Sequence, residues 1–480
     1  MVLRTSAPAS DPTFDSITPD IPNAGWSERE YQDLLGMRFT GHPKPKRLIL
    51  ADDWPAGIYP LRKEVPYDLE PPAAEDVAYQ LDEAPPGTTI VPIGPFHASL
   101  HEPEHFAVYV DGETIKGCDY RGFMTHRGIE KLCQTQVSYN EVPFVAERIC
   151  GICGSVHAVC YAQAVEAAAG LTHLAPGRVH PDGHARDRAS PLAPALARHR
   201  RPPHRLRHGL HAGLAGPGED HVARRSGSPA TARPTAWSSS AASAATSRRR
   251  SGPSIEGILA TLEKEVLVLK NSIIGDGAIH RRTKGVGSLS KEETVRWSLV
   301  GPVARARGLS LDTRKDHPYA AYDDMAFDVP VVDSCDVWGT LVVRVLEIFE
   351  SIGILRQALA RMPADGPLLV EIPEALPPLR HAVSMVEAPR GESVHYVITG
   401  EENRPERWRV RAPTYPNLQA VPSMLLDNQF ADFPIIVGQI DPCFSCTDRV
   451  AVVDARSGAQ RVLGRAELER MSRRRGGGKE

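Results

Sequence analysis

Two pairs of cysteines with the same spacing stand out in this chain. Cys150 and Cys153 form the first C-x-x-C pair, within "RICGICGSVH", and Cys443 and Cys446 form the second, within "DPCFSCTDR". Such a pair can present two sulfur atoms to one metal, form a disulfide, or lie in a core without any chemistry. Two pairs among only eight cysteines exceed chance. Thiolates are soft ligands that suit zinc, iron–sulfur clusters, copper(I), or nickel with iron, so the pairs favour a shared four-sulfur site.

The separation of the pairs along the chain bears on which metal they bind. A zinc ribbon usually carries its second pair within about 15–20 residues of the first, and an iron–sulfur run needs further cysteines at short spacing. Neither pattern is present, although structural zinc remains an alternative. His157 follows Cys153 by one helical turn, so its imidazole can face the sulfur atoms and donate a hydrogen bond to them.

The composition describes a near-neutral protein of two or three domains. Its 480 residues carry a formal net charge of −3, which gives no sign of a nucleic-acid partner. No apolar run approaches the roughly 18 residues of a membrane span, and no export signal is visible. Sparse cysteines without such a signal indicate reduced thiols in the cytosol.

Turn and linker signals predict how the chain is divided. A flexible lead-in (1–23) precedes a first unit (24–65), in which a helix with Ser27 as its N-cap ends at Gly36 and "RLIL" (47–50) forms a strand. A linker (66–88) follows. The rest predicts an antiparallel sheet with a "DGE" turn and then helices, of which "GSVHAVCYAQAVEAAAG" is the clearest. The predicted fold class is α+β, with a mainly helical bundle core, a small antiparallel sheet and an α/β N-terminal domain.

One segment does not fit a compact domain. Residues 181–250 contain 13 Arg and 6 His, but no Lys, Ile, Phe, Tyr, Met, Asn or Gln, and they show no helical or strand period. A disordered basic insertion is one interpretation. We favour a reading frame shifted between about residues 172 and 253, which peptide masses over this segment would distinguish from a true insertion.

At its motifs the chain resembles nickel–iron hydrogenase large subunits. "RICGICGSVH" and "DPCFSCTDR" are similar to the two metal-binding signatures of that family, and "YRGFMTHRGIEKL" and "EAPRGES" are similar to further motifs in the same order. The resemblance is to the membrane-bound class related to respiratory complex I, which includes formate hydrogenlyase. It implies a large-subunit-like domain at 89–449, and it identifies 24–65 as the end of a truncated domain like the 30-kDa subunit of complex I.

The resemblance implies a nickel–iron centre held by the four cysteines. Cys150 and Cys443 would be terminal nickel ligands, whereas Cys153 and Cys446 would bridge nickel to an iron that carries CO and cyanide. Four thiolates hold nickel electron-rich, which suits the heterolytic cleavage of H₂. The resemblance places no iron–sulfur cluster in this chain.

Two further residues match functional positions of the family. Glu130 in "HRGIE" corresponds to the glutamate that relays protons, and the alternative is a surface carboxylate paired with Lys131 or Arg127. Arg390 in "APRG" corresponds to an arginine held over the metals, where it acts as a base or orients the gas molecule. An isolated arginine would otherwise be expected at the surface.

Arg449 stands where many soluble hydrogenases have a histidine. Arginine at this position agrees with the complex-I-related class, and it implies that the extension 450–480 is a maturation peptide removed after nickel insertion. The alternative is an ordinary C-terminal strand pair followed by a basic tail.

The resemblance implies the catalytic subunit of a membrane-associated hydrogenase that catalyses 2 H⁺ + 2 e⁻ = H₂, in the direction of proton reduction. The implied partners are an iron–sulfur small subunit, complex-I-like membrane subunits, maturation factors and an endopeptidase. The implied location is peripheral, on the cytoplasmic face of the inner membrane.

Three other interpretations compete with the hydrogenase. A quinone-module subunit of complex I would hold no metal, and such relatives lack the paired thiolates. A structural zinc protein would not need "HRGIE" and "APRG". A shifted reading frame would give an inactive product.

Overall fold

The computed structural model describes most of the chain apart from residues 171–235, residues 362–375 and the C-terminus. The described ranges are 5–8, 10–52, 54–69, 71–72, 82–95, 97, 100, 102–124, 126–151, 153–170, 236–361 and 376–444, with side chains left out at 236–255. Cys446, Arg449 and the extension 450–480 lie outside the described residues, as do residues 171–235.

A parallel strand pair and one helix form the N-terminal unit. β1 (Thr13–Asp15) pairs with β2 (Arg38–Thr40), and α1 (Ala24–Leu35) connects them. Gly36 ends α1 as predicted, with the positive φ of 71° that glycine adopts at little cost. The helix begins ahead of the predicted N-cap Ser27, and β1 lies within the predicted flexible lead-in. Both of those predictions are wrong.

The segment "RLIL" is not a strand, because a buried carboxylate takes its backbone donors. Asp33 Oδ2 accepts the N–H groups of Leu48 and Ile49 at 2.8 Å and that of Leu50 at 3.3 Å. Burial raises the pKa of Asp33, and the three backbone hydrogen bonds oppose this rise. One side chain thus satisfies three amides that a sheet would otherwise pair.

The predicted antiparallel sheet is present. β3 (Thr89–Ile93), β4 (His105–Asp111) and β5 (Thr114–Arg121) lie in the order β3-β4-β5, and the "DGE" turn joins the last two strands. Three helices follow: α2 (Ile129–Thr135), α3 (Val142–Glu147) and α4 (Gly154–Ala168). The prediction for α4 is confirmed.

A second antiparallel sheet was not predicted. It consists of β6 (His381–Ala388), β7 (Gly391–Thr399) and β8 (Pro405–Arg411), in that order. α4 packs against β6 and β7. The buried positions of β7 include Ser393, His395 and Thr399, whereas Tyr396 and Ile398 are only half-buried. The polar inward face hides the strand from a hydrophobicity pattern.

The remaining helices surround these sheets. They are α5 (Ala236–Gly275), α6 (Gly277–Thr283), α7 (Lys291–Arg296), α8 (Pro302–Arg305), α9 (Thr313–Asp316), α10 (Val337–Arg361), α11 (Thr414–Gln419), α12 (Val421–Leu425) and α13 (Phe433–Gln439), with 3₁₀ turns at Tyr322–Asp324 and Phe430–Asp432. α5 begins inside the segment predicted to lack secondary structure, which is therefore helical from Ala236 onward.

Two large apolar clusters form the core. One joins β3–β5 to α12 and α13, and the other joins α2–α4 to β6–β8 and the cysteines. The fold is α+β, as predicted, but two antiparallel sheets share the core where one small sheet was expected. None of the helices in the described ranges combines the length and the apolar composition that a membrane span requires.

The N-terminal unit is tied to the rest of the chain through a buried carboxylate. Glu30 on α1 is fully buried, and both of its oxygens accept hydrogen bonds from the guanidinium of Arg409 on β8. The Tyr415 hydroxyl donates to Glu30 Oε2 at 3.0 Å. Trp26 stacks on Tyr120 beside this contact. The interface therefore combines an aromatic cluster with a desolvated ion pair.

Replacing Glu30 with glutamine should destabilise the protein by about 2–3 kcal/mol, because Arg409 loses its bidentate partner in a desolvated site. Asp11→Asn is the matched control, since it removes an exposed carboxylate that pairs with Arg38 at the surface and should leave the unfolding temperature nearly unchanged. Thermal unfolding of the full chain checks both expectations. Equal losses in the two variants would contradict the structural role of Glu30.

Candidate metal centre

The first cysteine pair lies where α3 gives way to α4. Cys150 follows α3, and Cys153 is the residue before the first turn of α4. Both side chains are 1% exposed, and the backbone N–H of Cys153 donates to Cys150 Sγ at 3.2 Å. A thiolate that accepts a backbone N–H is stabilised in its charged form.

Gly154 makes this turn possible. A Cβ atom added there would lie 2.5 Å from the carbonyl oxygen of Glu147, whereas a Cβ at Gly151 would meet nothing within 4 Å. The close approach of α4 to the end of α3 sets the positions of the two sulfurs. Arg127 supports the same loop, because its guanidinium donates to the carbonyl oxygens of Arg148 and Ile149 at 2.6 and 3.0 Å.

Cys443, the described member of the second pair, approaches the first pair. Cys443 follows α13, is 5% exposed, and places its Sγ 3.1 Å from Cys150 Sγ. Its backbone N–H donates to the Thr414 hydroxyl at 3.3 Å. No disulfide joins the described cysteines. Two of the four predicted ligands, Cys150 and Cys443, thus bring their sulfurs together, and Cys153 adjoins Cys150 through its backbone N–H. The fourth, Cys446, lies outside the described residues.

Arg390 is buried beside these sulfurs, so the expectation that an isolated arginine lies at the surface is wrong here. It is 1% exposed and lies in the turn between β6 and β7. Its Nη2 is 3.0 Å from Asp441 Oδ2, and its Nε donates to the Asp441 carbonyl. Among the described residues, its Nη1 has no hydrogen-bond partner, so one donor of the guanidinium remains available.

The charge of Arg390 is held by its surroundings. Burial opposes the charged form, but Asp441 first, and then the thiolates of Cys153, Cys443 and Cys150, outweigh this effect and raise the pKa of Arg390 above its ordinary value. Asp441 also faces Arg344 on α10, at 3.7 Å. Sequence reasoning missed Asp441, although its place two residues before Cys443 could have drawn attention to it.

Glu130 is buried, so the surface alternative is wrong. It is 2% exposed in the first turn of α2, with its oxygens 3.4 Å from Arg409 Nη1 and 3.6 Å from Arg407 Nη2. Of the two residues named in that alternative, Lys131 donates to the Arg62 carbonyl, and Arg127 supports the cysteine loop.

His157 lies one turn into α4, as predicted, and is fully buried. Its backbone N–H donates to the Cys153 carbonyl at 3.2 Å. Its Nδ1 is 3.1 Å from Nε2 of His395, which is also fully buried. Sequence reasoning missed His395, although it closely follows the motif that contains Arg390.

The other described cysteines contact different parts of the core. Burial raises the pKa of Cys160 to about 12 and that of Cys133 further, so both remain neutral thiols, as expected of structural residues. Cys118 and Cys335 are only partly exposed to solvent, and burial raises their pKa values as well. None of the four is a thiolate at neutral pH.

The chemistry of the donor set suits a thiolate-bound metal. Three buried cysteines lie near a guanidinium that is charged and has an unused donor nitrogen, although no three His, Cys, Asp or Glu side chains of the described ranges are arranged to hold a metal ion. Buried soft ligands of this kind suit nickel with iron, or zinc.

Two family models match this chain. The family model described as "Respiratory-chain NADH dehydrogenase, 49 Kd subunit" matches residues 248–384 and 374–449, and the model described as "Respiratory-chain NADH dehydrogenase, 30 Kd subunit" matches residues 1–71. The fold and these family matches together define a complex-I-like protein.

Curated relatives identify the family. Formate hydrogenlyase subunit 5 of Escherichia coli (strain K12) is 35% identical over 98% of this chain and 83% of its own length. Hydrogenase-4 component G of the same organism is 35% identical over 98% of this chain and 82% of its own. The carbon monoxide-induced hydrogenase of Rhodospirillum rubrum is 33% identical over 75% of this chain and 99% of its own length. The chain therefore belongs to the large subunits of the membrane-bound nickel–iron hydrogenases related to complex I.

More distant relatives share the fold. An NADH-quinone oxidoreductase protein of Methylococcus capsulatus, its C/D subunit, is 28% identical over 93% of this chain and 83% of its own. A solved chain from "Structure of the membrane-bound sulfane sulfur reductase (MBS), an archaeal respiratory membrane complex" superimposes with a TM-score of 0.59 at 21% identity, over 77% of this chain and all of that one. The higher identity of the hydrogenases identifies the chain as an oxidoreductase acting on hydrogen.

Gly154→Ala should destabilise the protein by about 1–3 kcal/mol, because the new methyl group must displace backbone atoms. Gly151→Ala is the matched control within the same motif. Its methyl group meets open space, so its cost should stay below about 0.5 kcal/mol. Thermal unfolding of the metal-free full-length chain measures both. If Gly151→Ala were the more destabilising change, the described path of the cysteine loop would be wrong.

Proposed function

We propose that Cys150, Cys153, Cys443 and Cys446 hold a nickel–iron centre with CO and cyanide on the iron. When bound, this centre supplies the redox site at which H₂ is formed or split. The observation that carries the proposal is the 3.1 Å approach of Cys443 Sγ to Cys150 Sγ, in a site closed to solvent and flanked by Arg390. In the proposed assignment Cys150 and Cys443 are terminal ligands, and the other two cysteines bridge the metals.

Arg390 is proposed to balance the negative charge of the thiolates and to orient the gas molecule. Four thiolates in a site of low dielectric constant repel one another strongly unless a cation lies beside them. Asp441 holds the guanidinium through Nη2 and Nε. The remaining donor, Nη1, can then act toward the site. A lysine could not hold Asp441 through two nitrogens and still offer a third donor in a fixed plane.

Glu130 is proposed to relay protons between the sulfur site and the outside. Each H₂ that forms consumes two protons and two electrons, so a carboxyl group that gains and loses a proton is required along the path. Arg409 binds both oxygens of Glu30 closely but stays 3.4 Å from Glu130. A contact of this length holds a carboxylate less tightly than the bidentate contact with Glu30, which suits a group that must change its protonation state.

Partners and location follow from the relatives. We propose that the chain reduces protons within a formate hydrogenlyase-type complex, on the cytoplasmic face of the inner membrane. Electrons would arrive from an iron–sulfur small subunit, and complex-I-like membrane subunits would anchor the assembly. Maturation factors would insert the metals, after which an endopeptidase would remove the extension that follows Arg449.

The quinone-module alternative explains the fold but not the site. A metal-free protein has no need for three cysteines that converge in a dry interior beside Arg390. A structural zinc site explains the sulfurs, but it leaves the buried Glu130 and the available Nη1 of Arg390 without a role.

Cys443→Ser should abolish nickel binding and hydrogenase activity together, because it removes a ligand from the buried site. Cys335→Ser is the matched control, since that thiol is partly exposed and contacts Asp333 instead. Metal analysis and dye-linked H₂ evolution of the purified complex provide the two measurements. Zinc in place of nickel in the unaltered chain would favour the structural alternative. The absence of any metal would favour the quinone-type protein or the inactive product.

Glu130→Gln should lower H₂ evolution by about 10²–10⁴-fold, the usual contribution of a positioned acid or base, with the nickel content unchanged. Glu28→Gln serves as control, because it alters a buried carboxylate on α1 that bonds within the N-terminal unit, to Ser16 and Thr18. Activity per nickel is the quantity to compare. Equal activity per nickel in both variants would exclude Glu130 as the relay.

A further inference from the structure

Three buried rings form a hydrogen-bonded chain that ends at His157. Trp408 on β8 donates its Nε1–H to Nδ1 of His395 on β7, at 3.2 Å. His395 Nε2 lies 3.1 Å from His157 Nδ1 on α4. All three side chains are fully buried. The rings of the two histidines lie 27° from parallel, with centroids 5.4 Å apart.

The tryptophan determines where each proton of this chain sits. An indole nitrogen can only donate, so His395 Nδ1 must accept and His395 must carry its hydrogen on Nε2. That hydrogen points to His157 Nδ1, which must then accept as well. His157 is left with its own hydrogen on Nε2. The opposite tautomer of either ring would place two N–H groups, or two lone pairs, against each other.

A second neighbour is compatible with this assignment. The Ser393 hydroxyl lies 3.4 Å from the same Nδ1 of His157. A hydroxyl rotates and can donate, so it adds a second, weaker donor to a nitrogen that already accepts. The Ser393 hydroxyl therefore does not require a hydrogen atom on Nδ1 of His157.

We propose that Trp408 and His395 are positioning residues that fix His157 as the Nε2–H tautomer, so that His157 serves the metal site as an N–H donor and never as an acceptor. The claim that the sulfur ligands accept this hydrogen bond rests on the proposed function. The assignment of the tautomer does not. Outer hydrogen bonds commonly fix the tautomer and orientation of a histidine near a metal. Here the fixing group is an indole, one residue further from the site than His395.

The consequence concerns the electronic state of the sulfurs. An N–H donor stabilises charge on a thiolate, and such bonds tune the potential of thiolate-bound metals. An acceptor nitrogen in the same place would repel that charge. Trp408 therefore acts on the metal site although two imidazole rings separate it from the sulfurs.

The test begins with the metal-free full-length chain labelled with ¹⁵N-histidine. Solid-state NMR distinguishes the two neutral tautomers, and His157→Gln and His395→Gln assign the signals. In the unaltered chain both rings should be Nε2–H. An Nδ1–H form at either ring of the unaltered chain would overturn the proposal.

Trp408→Phe removes the donor and keeps an aromatic ring. The Nδ1–H share of His395 should rise about fivefold, the ratio that one net hydrogen bond of about 1 kcal/mol gives. Tyr161→Phe is the matched control. The Tyr161 ring meets the Trp408 indole edge-on, with centroids 5.4 Å apart, and its hydroxyl bonds no described residue. This control should keep the tautomers of the unaltered chain, and an unchanged pattern in Trp408→Phe would overturn the proposal.

The metal-loaded complex gives a second readout besides activity. Infrared bands of the CO and cyanide ligands should shift in Trp408→Phe and stay in place in Tyr161→Phe. If the tautomers change but the bands do not, His157 does not act on the metal site and the proposal fails in that part. If no metal is found while the tautomers are as expected, only the proposed nickel–iron centre fails.

Discussion

The buried ion pair between Arg390 and Asp441 is the contact on which the sulfur site depends. It joins the turn between β6 and β7 to the loop that leads into Cys443. The charge of Arg390 could not remain in this interior alone, because an unpaired buried ion costs several kcal/mol, whereas Asp441 is partly exposed. Gly301 permits the approach, since a Cβ there would lie 2.3 Å from the Arg390 carbonyl oxygen. The backbone is thus shaped to bring a cation to three cysteines that come from two distant segments.

Similar compensation of buried charge occurs elsewhere in the interior. Arg409 lies between Glu30 and Glu130, so one guanidinium connects the N-terminal unit to the carboxylate proposed as the relay. Arg305 is surrounded by Glu347, Glu387 and Asp312, and it remains charged although fully desolvated. Breaking one member of such a set leaves its partners uncompensated. The N-terminal unit is therefore linked to Glu130 through Arg409 and not only packed beside it.

Local features of the fold could be predicted because their causes lie within a few residues. The alanine-rich α4, the end of α1 at Gly36 and the hairpin of β4 and β5 depend on propensity and turn chemistry. β7 could not be found in this way, because its inward face carries Ser393, His395 and Thr399 with only Val397 as a large apolar residue. The absence of a strand at "RLIL" could not be predicted either, since its amides are satisfied by Asp33 from another element. In both places a tertiary polar contact replaces the hydrophobic signal.

The sequence by itself determined the kind of ligand and its local spacing. The C-x-x-C repeat and a histidine one turn later specify which atoms can face a metal, because distances over one helical turn follow from backbone geometry alone. Only the tertiary structure decided that Cys443 meets Cys150, that Asp441 holds Arg390, and that Trp408 and His395 stand behind His157. These contacts join elements that are brought together only by folding. Their geometry is set by the packing of α4 on the second sheet and by the pairing of Arg390 with Asp441. Neither can be determined from spacing along the chain.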